Sequence, residues 1–183
     1  REVLRAVVAT AIRDGAERIV EAQDVDSMRL SLSQLKEASF AFRTSAEAHR
    51  IAALLSSLCP AREAAHMGLM ELMMNAIEHG NLGISYAEKT LLIAEDRLRA
   101  EIERRLALPE FADKIAAVKL TRLERSLLFT ITDEGDGFDW KPYLEMSMER
   151  MMDNHGRGIA MSRSISFASL EYRGKGNCVE ATI

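Results

Sequence analysis

The spacing of apolar and polar positions divides the chain into a helical lead-in and a longer mixed region. Leu4, Val8 and Ile12 recur at helical spacing, with Arg5, Arg13, Glu17 and Arg18 on the other faces, which predicts an amphipathic helix over about 1–24. Residues 28–33 and 38–43 both alternate apolar and polar, as a half-buried strand does. The second run is the better strand, because Thr44 and Ser45 then open a helix whose early turn carries Glu47. That helix stops before Pro60. Further helices are expected over about 62–80 and 86–108, the latter with Leu91, Leu98, Ile102 and Leu106 on one side and the charge pairs Glu95–Arg99 and Glu101–Arg105. Residues 116–123 and 126–132 predict a hairpin around Glu124-Arg125. A loop over 133–155 and a helix over about 157–167 follow, then strands 170–173 and 178–183 joined by Gly174-Lys-Gly-Asn177. This order has no regular β-α-β alternation. It predicts an α+β, two-layer sandwich: a mixed, mainly antiparallel sheet with helices on one face.

Composition narrows the class. With 183 residues, 48% hydrophobic and only three prolines, the chain suits one globular unit with an appendage. We expect a lead-in of 1–35, a connector or dimerisation helix, and a domain of 36–183. The net charge of -4 carries no basic block, which argues against nucleic acid or an anionic membrane as partner. No run approaches the ~18 apolar residues of a membrane span. Cys59 and Cys178 are far apart, so a reducing compartment, the cytoplasm, is expected in place of a disulfide scaffold or zinc site. The chain opens at Arg1 inside a helical pattern and reads as a piece of a longer protein.

The segment 69–78, Leu-Met-Glu-Leu-Met-Met-Asn-Ala-Ile-Glu, places Glu71, Asn75 and Glu78 within about 60° of one another on a helix otherwise apolar all round. Burying such a seam costs several kcal/mol per unpaired charge unless something polar meets it. Either it lines a ligand cavity, or it opens to solvent or pairs with Arg and Lys from elsewhere. His79 reads equally as a helix-end cation, and Gly80 as the helix stop.

Two glycine loops follow. A strand delivers Asp133 at its end, and Gly135 and Gly137 come at alternate positions. An acid there can accept a hydrogen bond from an exocyclic amine, and the glycines let backbone approach a flat ring; the alternative is a plain acidic turn. Downstream, Gly156-Arg157-Gly158 at a helix start offers N–H groups and a positive dipole end, which suits phosphates, with Arg157 or Arg163 adding charge. An ordinary glycine-rich helix entry is the plainer reading. The loop is neither a P-loop nor a dinucleotide fingerprint.

The conjunction, in this order, resembles the Bergerat-fold ATPases (gyrase, histidine kinases and their relatives) over about residues 37–183. The wording Glu71-Leu-Met-Met-Asn75-Ala-Ile-Glu-His79-Gly80 is most similar to the anti-sigma-factor serine/threonine kinases of bacteria. The resemblance implies ATP and Mg²⁺ as cofactors, Glu71 as catalytic base and Asn75 as metal ligand. It further implies Asp133 as adenine-amine acceptor, Gly135 and Gly137 as ring pocket, and Gly156, Arg157 and Gly158 as phosphate turn. Residues 138–155 become a lid, rich in Met146, Met148, Met151 and Met152, and 85–108 a helical insertion on the rim. The turn Gly176-Asn177-Cys178 departs from the family in lacking its usual Gly-Thr pair.

Three functions follow as expectations. The first is a regulatory kinase domain phosphorylating Ser or Thr of a protein partner, such as a sigma-factor regulator. The second is a histidine-kinase catalytic domain, disfavoured because residues 1–35 contain no His. The third is a nucleotide-responsive binding module with little turnover. A homodimer is possible under each.

Overall fold

The computed structural model describes residues 31, 32, 34–140 and 162–183. The chain divides into two compact units, Arg1–Leu35 and Lys36–Ile183. In the first, Ser31 and Leu32 are helical, where the alternating run 28–33 allowed a strand; the run's other residues lie outside the described ones. The lead-in helix over 1–24 lies outside the described residues.

The second unit holds a five-stranded sheet of β1 (Glu37–Phe42), β2 (Ala116–Arg122), β3 (Leu127–Thr132), β4 (Ser169–Arg173) and β5 (Cys178–Thr182). Its order is β1-β2-β3-β5-β4. Every pairing among the described residues is antiparallel, as the expected mainly antiparallel sheet requires. Alternation is the reason these segments are strands: Leu127, Phe129 and Ile131 are buried while Leu128, Thr130 and Thr132 between them are not. The register aligns one inward row across the sheet, Phe40, Val118, Ile131, Val179 and Tyr172. A one-residue slip would turn that row to the other face.

Helices α1 (Ser45–Ser56) and α2 (Arg62–Asn75) cover this row. Ala48, Ala52 and Leu55 of α1 and Leu69, Leu72 and Met73 of α2 share one core cluster with the inward strand residues. A capping box opens α1: Thr44 Oγ1 accepts from the Glu47 N–H, and the Glu47 carboxylate accepts from the Thr44 N–H at 3.0 Å. The small residues of α1 let it lie close against α2.

Two expected helices differ from their pattern. The helix over 62–80 is α-helical only to Asn75 and continues as a π-helical turn, Ala76–Asn81, in which the Leu82 N–H donates to the Ile77 carbonyl. The helix over 86–108 is three pieces: α3 (Tyr86–Ala94), α4 (Leu98–Leu106) and the single turn α5 (Pro109–Ala112). The break falls at Asp96, whose φ of 54° is left-handed. It shifts the helical phase, so Leu92 is buried and Leu91 is 64% exposed. It also separates Glu95 from Arg99: Glu95 pairs with Arg97 and Arg99 with Glu103, while Glu101–Arg105 forms as expected. No helix among the described residues is long and apolar enough to cross a membrane.

Of the helix expected over 157–167, Ser162–Ser166 is a π-helical turn packed against α2. Both hairpins stand where the pattern puts them. Gly174 and Gly176, both at positive φ, make the second turn.

Candidate functional site

A cavity of about 330 Å³ opens between α2 and the β3–β5–β4 part of the sheet. That volume suits a small molecule, for which roughly 300–1,000 Å³ is usual. Its apolar floor is Leu72, Ala76, Ile131 and Val179, the continuation of the inward row.

Glu71 and Asn75 line one wall, one helical turn apart, with the Asn75 amide donating to Glu71 Oε1 at 3.3 Å. Glu78, the third member of the seam, does something else. It is buried, and Lys89 Nζ of α3 lies 2.6 Å from its Oε2. That contact is an ion pair by distance without hydrogen-bond angles, since Oε2 has no hydrogen-bond partner. The two readings of the seam therefore divide by residue. Glu71 and Asn75 face a cavity, and Glu78 meets a lysine from elsewhere.

Asp133 stands on another wall, just past the end of β3. Its loop is held by two asparagines. Asn177 donates from its side chain to the Asp133 carbonyl at 2.9 Å and accepts the Asp133 N–H at 3.0 Å. Buried Asn81 accepts the Glu134 N–H through Oδ1 at 2.8 Å. The Gly135 N–H donates to Asp133 Oδ1 at 2.8 Å. Burial pushes the Asp133 carboxyl above its usual range, opposed by the Gly135 N–H and by Lys175 and Lys114. Asn177 thus supports Asp133 from the very turn that departs from the family's Gly-Thr pattern.

The glycines have separate tasks. Gly137, at φ 82°, lines the cavity. Gly135 sits behind it, where a Cβ would come 2.5 Å from the Gly80 carbonyl oxygen. Gly80 is not the left-handed helix stop its position suggests. It lies within the π-helical turn, pressed against the Asp133 carboxyl.

His79, whose role the sequence left open, is held by the backbone. Its Nδ1 is 2.5 Å from the Ile84 carbonyl, which can only accept, so Nδ1 carries the proton. Burial pushes its pKa down, against the pull of that hydrogen bond. The ring so held lines the cavity, where burial disfavours its charged form.

Sequence reasoning missed several lining residues. Ser85, Tyr86 and Lys89 come from the first turns of α3, so the expected rim insertion supplies a wall. Their one local signal is Ser85-x-x-Glu88, a helix start in which Ser85 Oγ accepts the Glu88 N–H. Tyr172 lines the sheet side, with Trp140 stacked on it at 6.0 Å and Phe138 edge-on at 5.2 Å. Nothing local marks Tyr172, since it reads as one more inward strand residue. Burial, together with Glu71 and Asp133, pushes its phenol well above the usual range. Cys178 also lines the cavity, its thiol pushed up by burial, Glu180 and Asp133 against the pull of Arg173.

Gly156, Arg157 and Gly158 lie outside the described residues, as do the lid residues 141–155 with their four methionines. Arg163 is exposed and does not line the cavity.

Two of the sequence motifs, remote from each other in the chain, therefore meet around one apolar-floored cavity, an acid–amide pair on one side and a buried acid beside glycines on another. A family model described as histidine kinase-like ATPase domain matches residues 4–183. The chain belongs to this family. Among curated proteins, none matches it. Membership in a histidine kinase-like ATPase family implies that the domain binds ATP. The antiparallel sheet with its helical cover is consistent with that fold.

Proposed function

We propose that this ATPase-family domain is a regulatory kinase that transfers the γ-phosphoryl group of ATP to a Ser or Thr of a partner protein, in bacterial sigma-factor control or related cytoplasmic signalling. The observation that carries the reading is the gathering of Glu71, Asn75 and Asp133 around one cavity. Asp133 would accept the adenine amine, with Gly137 leaving room for the ring. Glu71 would take the proton of the partner's hydroxyl as that oxygen bonds the γ-phosphorus, while the bridging P–O bond breaks and ADP leaves with the electron pair.

Magnesium fits the donor set. Among the described residues no group of three acidic, His or Cys side chains could hold a metal unaided. The Asn75 amide oxygen is the hard donor such an ion takes alongside phosphate oxygens. When bound, the ion would neutralise phosphate charge. Asn75 keeps a second task in its absence, since its N–H orients Glu71.

Labelled ATP and candidate partners test the reading. Label on partner Ser or Thr, abolished by Glu71→Ala, supports it. Label on a histidine would move the assignment to histidine-kinase chemistry. Nucleotide binding with no transfer, unchanged in Glu71→Ala, would make the domain a ligand-responsive binding module.

A further inference from the structure

The polar residues of the cavity are unbalanced for a polyanion. Glu71 and Asp133 line it, burial works against a charge on His79, and buried Glu78 lies behind. A triphosphate entering between these acids would meet repulsion unless a cation faces it. Among the described residues that line the cavity, Lys89 is the sole lysine or arginine.

Lys89 is also held in place. It lies in the first turns of α3, where its N–H donates to the Ser85 carbonyl at 2.9 Å. The start of α3 is tied to the π-helical turn by the Ile84 N–H, which donates to the Glu78 carbonyl at 2.8 Å. Arg105 of α4 braces it from outside, donating to the Leu82 carbonyl at 2.8 Å and pairing with Glu88 and Glu101. Glu78 then orients the ammonium through one contact. An ammonium has three donors, so capacity for a ligand remains. At 19% exposure, the side chain sits in the wall and does not wave in solvent.

We propose that Lys89, carried by the inserted helix α3, is a phosphate-contacting residue of this cavity, and that Glu78 is its positioning residue. The inference rests on the ATP reading above and adds the group that recognises the polyphosphate part of the ligand. It gives the insertion a task in the site.

The competing account is that Lys89 only neutralises buried Glu78. Lys89→Met alone would leave that acid unpaired, so the deciding protein is the double variant Glu78→Gln/Lys89→Met, in which neither charge remains. Calorimetric titrations with ATP, adenosine and inorganic triphosphate supply the readout. The double variant is expected to bind ATP about tenfold to a hundredfold more weakly, the loss of one charge-assisted contact. Adenosine binding stays unchanged, which also reports an intact fold, and Lys89→Arg retains ATP. A double variant with wild-type affinity for ATP overturns the Lys89 assignment and leaves the ATP reading standing. Lys89-dependent binding of triphosphate without any preference for ATP would overturn the ATP reading and keep Lys89. Wild-type protein that takes up neither overturns both.

Discussion

Gly80 and Asp133 touch so closely that a side chain at position 80 would collide: a Cβ on Gly80 would lie 2.3 Å from the Asp133 carboxyl carbon. The contact couples the end of α2's π-helical turn to the loop after β3, and so sets the distance between the Glu71 wall and the Asp133 wall. Gly80→Ala is expected to cost about 1–3 kcal/mol, the usual range for overpacking. It should also displace Asp133 and weaken adenosine binding. Denaturant unfolding and a nucleoside titration check both. A variant of wild-type stability that binds normally would show that the contact is slack.

Asp133 trades stability for recognition. Its carboxyl is raised by burial, so it contributes stability fully below about 3.8 that is lost as pH rises through the raised folded value. Asp133→Asn removes the buried charge and keeps an oxygen for the Gly135 N–H. At pH 7 its melting temperature should equal or exceed that of the wild type. Adenosine affinity should fall by about tenfold or more, because an amide cannot replace a charged acceptor. A less stable variant with unchanged affinity would contradict both halves.

Arg105 braces the wall that carries Lys89. Its side chain is 14% exposed and holds the Leu82 carbonyl, Glu88 and Glu101 together. Arg105→Ala should destabilise the domain by about 1–3 kcal/mol and speed hydrogen exchange across 82–94 ahead of the sheet. Arg104 and Arg105 hold the Glu101 carboxyl down to about 2 from its ordinary 4.5. A depressed acid contributes stability above its unfolded value and loses it as pH falls. The wild type should therefore lose stability between about 4.5 and 2, and the variant should lose less over that window.

Thr44 and Glu47 cap α1, the helix that closes the core over β1 and α2. Thr44→Ala should cost about 1 kcal/mol. The N–H groups of Arg43 and Thr44, with the Thr44 hydroxyl, lower the Glu47 carboxyl. Glu47→Gln should accordingly flatten part of the acid limb of the stability profile. Thermal melts from neutral pH down to about pH 3 test both, and an unchanged acid limb would remove Glu47 from the account.

The elements legible in the chain were those set by neighbours a few residues apart. Alternation marked β1, apolar runs about their turns marked the other four strands, Thr44 and Glu47 marked a cap, and Gly174 and Gly176 marked a turn. Side-chain period, capping and positive φ are local properties, so they are written locally. The acid–amide seam and the acid–glycine loop were visible as chemistry, but their meeting was not a property of either segment. Tertiary contact alone made Gly80 a packing glycine, because the atom that forbids a Cβ comes from Asp133, far along the chain. It also split the seam, giving Glu78 to Lys89 and leaving Glu71 and Asn75 to the cavity. The break at Asp96 changed which leucine faces inward, a phase shift no uninterrupted periodicity could register. Burial and ion pairing depend on atoms brought together by the whole fold, and one-dimensional spacing carries no record of them.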